Sequence, residues 1–241
     1  AKGYIVRGPS SFSATVPSTL YGTFTGTPNN GLISIPISRG DDVNTVYHQG
    51  LNGTEITNYS DNWNLVGNPY PSTINAETFL TANAANIEST LYFWRKTNGA
   101  SGSAYATYTL GGATTSTPTS AAPNGTIQIG QGFFVQAKSA VTVPAFFTNA
   151  MRVTNNANQF FKTKALENNR IWLNLTNTSG VFSQMLVGYM TNATQGVDTG
   201  MDGKYINDSP LALTSNINND EYTIQGRPAF DAADVVPLNF K

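Results

Sequence analysis

The apolar runs of this chain are short, and they stop at turn residues. Residues 170–175 (RIWLNL) alternate with a period of two and break at Asn177-Thr178-Ser179-Gly180. Such a break reads as a hairpin, because Asn and Gly tolerate the backbone a tight turn needs. The same grammar recurs at 3–7, 21–26, 32–37, 91–94, 104–110, 127–129, 133–137, 182–189, 222–226 and 235–240. A strand of this kind buries one face only, so none is stable until another layer covers it. Short strands at regular spacing predict β-sandwiches.

Composition supports this reading. Charged residues make up 11 % of the chain, against about 25 % in an ordinary domain. Asn, Thr, Ser and Gly take their place, which favours turns over helices. The 22 glycines and 12 prolines are spread along the chain and punctuate it. The only good helix signal is at 74–86 (INAETFLTANAAN), with Asn75 as its cap and Phe79 and Leu80 facing inward. The expected fold is all-β: tandem antiparallel β-sandwiches with at most one or two short helices.

The expected division is a β-sandwich over residues 1–150, a linker over 151–167 and a second sandwich over 168–241, incomplete at its C-terminal end. Pro36 lacks an amide donor, which sends its strand to an edge or a bulge. Residues 111–125 are small and polar and read as a mobile loop.

WNLVGNPYPS (63–72) is a strand that ends in a proline corner. The Asn68 side chain is placed to bond the turn backbone and replace the donors that Pro69 and Pro71 lack. Tyr70 is either a packed corner residue or a stacking platform, and the Tyr70-Pro71 bond is of a type that adopts cis. GQGFFVQA (130–137) fits a bulge and lacks the ending of a phosphate loop.

Several chemistries are excluded by inventory. The chain has no cysteine, and its single histidine, His48, has no nucleophile elbow to serve. A net charge of −1 without a basic stripe argues against nucleic acid. No apolar run is long enough to span a bilayer. Glu55, Glu77, Glu88, Glu167 and Glu221 fall in no recognisable acid/base motif. The expectation is a protein that is not an enzyme and has no cofactor.

Two sites are candidates. Asp198, Asp202 and Asp208 form the dense acidic stretch of a loop, and a flexible turn with several oxygens suits calcium. Turn-making Asp and Gly is the plainer account. Tyr92, Trp94, Tyr105 and Tyr108 lie on neighbouring strands and would make a glycan platform if their rings shared an exposed face. Burial in the core is the plainer account there too.

WNLVGNPYPSTIN, LYFWRK and IQIGQGFFVQA, followed by RIWLNLTN and the segment from FSQMLVGY to PLNFK, carry a family resemblance. Together they resemble the C-terminal β-sandwich region of Bacteroidetes (Flavobacterium-like) cell-surface proteins, upstream of the sorting signal. The resemblance implies export by the type IX secretion system and an extracellular or cell-surface location. It implies a structural or adhesion role, with the secretion machinery, surface glycans or other surface proteins as partners. A carbohydrate-binding module is the alternative. No catalytic residue is carried over.

Overall fold

A computed structural model of the chain describes residues 21–39, 63–95, 105–138, 142–154, 169–206 and 211–241, apart from Phe24. It also describes the backbone of strands at 45–49 and 55–59 and isolated positions before residue 20. The expected strand at 3–7 lies outside the described residues.

In chain order the first elements are β1 (Ile33–Ile37), β2 (Thr45–Gln49), β3 (Glu55–Tyr59), β4 (Trp63–Gly67), β5 (Thr73–Asn75) and helix α1 (Ala76–Asn83). There follow β6 (Leu91–Trp94), β7 (Tyr105–Thr109), β8 (Gly112–Thr114), β9 (Thr126–Ile127), β10 (Gly132–Gln136), β11 (Val143–Phe147) and β12 (Arg152–Val153). The C-terminal part holds β13 (Arg170–Thr176), β14 (Phe182–Tyr189), β15 (Gly203–Lys204), β16 (Leu213–Ile217), β17 (Asp220–Arg227) and β18 (Leu238–Phe240). The fold is all-β, with α1 the one α-helix among the described residues. In the expected strand at 21–26 the described residues are exposed coil instead, and among the described residues no strand pairs with them.

The main sheet of the first block has the order β4-β10-β6-β7-β8 and is antiparallel. Alternation puts Val66, Phe133, Val135, Leu91, Phe93 and Ala106 on its inner face. That face packs on a second layer made by the β1–β11 ribbon, the small β12-β5-β9 sheet and α1. Phe79 of α1 is fully buried and meets Phe133 edge-on at 5.4 Å and Phe147 at 4.9 Å between centroids. In the ribbon Pro36 faces Pro144; a two-stranded ribbon tolerates both, because neither must donate on its outer side.

The helix starts as its sequence dictates. Asn75 accepts from the Thr78 amide at 2.8 Å and leaves the last residue of β5 in extended geometry. The corner after β4 is also set locally. The Asn68 side-chain amide donates to the carbonyls of Ser72 at 2.8 Å and Gln128 at 3.0 Å, and its carbonyl accepts from the Tyr70 amide at 3.0 Å. Tyr70 is a packed corner residue: it is buried, and its hydroxyl donates to the Gly31 carbonyl at 2.6 Å. The Tyr70-Pro71 bond is trans. Gly130 makes a turn at φ +69° ahead of β10, and the β10–β4 register is regular, so the expected bulge is absent there.

The C-terminal sheet has the order β13-β14-β17-β16-β18, with β15 also on β17. The β13–β14 hairpin forms at Asn177, whose side chain accepts from the amides of Ser179 and Val181, both at 3.0 Å. β14 and β17 run parallel. One face of the β13–β14 hairpin carries Leu173, Leu175, Met185 and Val187, which pack with Leu213 and Val236. The other face, with Trp172, Gln184 and Leu186, meets the first block.

That meeting corrects two expectations. Met151 is fully buried in the first core, and Arg152–Val153 pair with β5, so residues 151–153 belong to the first block and not to a linker. Residues 111–125 are not a free loop. Thr114, Ser116 and Thr117 are buried, the Thr115 amide donates to Gln184 Oε1 at 3.0 Å, and Trp172 Nε1 donates to the Ala113 carbonyl at 3.0 Å. A small polar composition served tight contact with a neighbouring sheet, which no local pattern reveals.

Glycines line this seam. A Cβ on Gly111 would lie 2.5 Å from the Met201 carbonyl oxygen, and one on Gly112 would lie 2.5 Å from Leu186 Cδ2. A Cβ on Gly203 would sit 3.2 Å from the methyl groups of Thr107 and Thr109. The two blocks therefore approach with glycine backbone against the backbone or side chains opposite, closer than any larger residue permits.

Candidate functional site

The loop that leads into β15 is the centre of the seam. Asp198 accepts from the Thr194 amide and, at 3.0 Å, from the Thr194 hydroxyl. Asp202 accepts from the Asp198 amide with one oxygen and from the Gly226 amide at 2.6 Å with the other. The loop carbonyls are then taken up by the first block. Thr90 Oγ1 donates to the Asp202 carbonyl at 3.3 Å, Thr109 Oγ1 to that of Met201 at 3.2 Å, and the Tyr92 hydroxyl to that of Lys204 at 3.1 Å. Burial pushes the Asp202 carboxyl up to about 6, against the lowering effect of its two backbone donors.

The candidate calcium ligands are thus two turn-forming carboxylates, Asp198 and Asp202, while Asp208 lies outside the described residues. Among the described residues no three acidic or histidine side chains gather as a metal set.

Beside this loop a cleft of about 350 Å³ opens between the sheets. Tyr222 and Tyr92 form its floor, both buried, and Glu88, Asp198, Lys204 and Asp220 lie along its sides. Lys204 and Asp220 pair at 2.9 Å. Tyr222 is only 3 % exposed and lines the cleft. Burial and then the carboxylates of Asp220, Asp202 and Glu88 raise its pKa, so the phenol stays protonated and remains a donor. Alternation along 222–226 showed that Tyr222 has a buried face; it gave no sign of which sheet would cover it.

The four candidate platform rings do not share one surface. Tyr92 is buried under the C-terminal sheet, and Tyr108 points to the core face, against Gly125. Trp94 is 52 % exposed and meets Tyr105 at 5.3 Å with planes 71° apart. Tyr105 in turn meets Phe134 at 6.0 Å and 77°. Edge-to-face rings like these are not coplanar and so do not make the aligned four-ring surface expected of a platform. Of the three tryptophans, Trp63 is half-buried, while Trp172 and Trp94 are among the exposed apolar side chains. His48 lies on β2, paired with Ile56. Of the glutamates, Glu77 sits in the first turn of α1, Glu221 is buried, and Glu167 lies outside the described residues.

The architecture and cleft define an all-β, sandwich-like module with a polar cleft at the seam of its sheets. The chain belongs to the family described as Domain of unknown function (DUF8693), whose model matches residues 1–241. No curated protein and no solved structure matches the chain.

Proposed function

We propose that this chain is a non-enzymatic structural or adhesion module of a secreted or surface-displayed bacterial protein carried by the type IX secretion system. The observation that carries the structural role is the seam. Glycines on both sheets allow close approach, and hydroxyls of Thr90, Tyr92 and Thr109 reach across it to loop carbonyls. Such an interface resists bending between the sheets, which is what a spacer or stalk requires. The polar, weakly charged surface and the lack of cysteine agree with display outside the cell. The sequence resemblance supplies the secretion route, and the parent protein would supply the sorting signal. Partners in this reading are the export machinery, reached through the parent, and surface glycans or proteins.

The test is deletion of residues 168–241 from the parent protein with its native signal left in place. A stalk role predicts loss of surface display, read by protease accessibility on intact cells. Unchanged display would overturn it.

A further inference from the structure

We propose that the seam cleft is a binding site for a neutral polyhydroxylated group, such as one or two sugar residues of a glycan. The Trp94–Tyr105 surface would not be the site. The inference stands apart from the secretion route and holds whether or not export depends on residues 168–241.

Three observations lead there. The first is the volume of about 350 Å³, at the low end of the roughly 300–1,000 Å³ typical of small-molecule sites. The second is Tyr222. Its ring is 97 % buried while the residue lines the cleft, so its position is fixed by packing and its phenol is a donor that a ligand can use. The third is the mixed sign of the walls. Glu88 is exposed at the mouth with its carboxylate facing the same space, and Asp198 and the Lys204–Asp220 pair are close by.

Chemistry then selects the ligand class. An anion would find Arg39 and Lys204 but meet the carboxylates of Glu88, Asp198 and Asp220. A cation would find those carboxylates but face Arg39 and Lys204, and it could not accept the Tyr222 proton. A hydroxyl both donates and accepts. Adjacent hydroxyls of a sugar would accept from Tyr222 and Lys204 and donate to Glu88, with no net charge to desolvate.

The experiment is ligand-observed saturation-transfer NMR on the whole 241-residue chain. The probes are a panel of neutral mono- and disaccharides, with ethylammonium and acetate as charged competitors. At least one sugar should bind saturably. Tyr222→Phe removes only the hydroxyl, and Glu88→Gln changes an exposed side chain. Each should weaken binding about tenfold, the effect of one hydrogen bond to a polar ligand, with the thermal melt of Glu88→Gln unchanged. Trp94→Ala should leave binding intact. A blank panel, equal affinity in wild type and both cleft variants, loss of binding in Trp94→Ala, or stronger competition by either ion than by a second sugar would each overturn the proposal.

Discussion

At the scale of single residues, the notable groups are polar side chains that do the work of backbone. Asp202 holds two amides from different parts of the chain, those of Asp198 and Gly226. Its burial costs more than these donors return, and its pKa rises from 3.8 to about 6. A carboxyl raised in the folded state favours folding when protonated, so its contribution is complete below pH 4 and is lost as pH rises through 6. Between pH 7 and pH 5 this single group should add about 1.4 kcal/mol to stability, one pH unit's worth of linkage. Urea unfolding at the two pH values checks it: the wild type should gain that amount relative to Asp202→Asn. An equal change in both proteins would assign the effect to other groups. Asp234 acts in the opposite sense, because Arg227 beside it holds its carboxyl below the usual range. Its contribution is lost only in more acidic solution, outside this window.

At the scale of elements, local sequence decides most of what is seen. Asn75 caps α1, Asn177 closes the β13–β14 turn, and Asn68 builds the corner after β4. In each, a short amide side chain replaces a backbone partner that the turn lacks. Asn68→Ala would strip three hydrogen bonds from a largely buried corner. It should destabilise the chain by about 2–4 kcal/mol, at roughly 1 kcal/mol or more per bond. Chemical denaturation followed by tryptophan fluorescence measures this, and a loss under 1 kcal/mol would show that water substitutes for the side chain. These elements were legible beforehand because their causes lie within a few residues. The alternation at 21–26 predicts a strand by the same local reasoning, but a strand exists only where another pairs with it, and the described residues there are coil.

At the scale of the whole molecule, the seam decides behaviour. Gly111 admits the Met201 carbonyl where a Cβ would stand 2.5 Å away. Gly111→Ala must therefore move one sheet against the other, at a cost of about 1–3 kcal/mol for overpacking. Because the strain falls between the sheets, their unfolding should separate. The wild type should melt in one transition and Gly111→Ala in two, seen by calorimetry. One transition at an unchanged temperature would mean the sheets are not coupled through this contact. The same seam explains why residues 111–125 are ordered despite their loop-like composition, and why Tyr92 lies beneath the C-terminal sheet.

The strand grammar, the capped helix, the proline corner and the all-β class follow from residues a few positions apart, since each depends on local sterics and hydrogen bonding. Long-range packing sets which outer face of the first sheet is covered and brings Tyr222 and Glu88 to one cleft. Those outcomes depend on contacts between Thr90–Leu110 and residues more than ninety positions further on. Alternation states that a face is buried; the identity of what buries it is a property of packing, not of sequence neighbours.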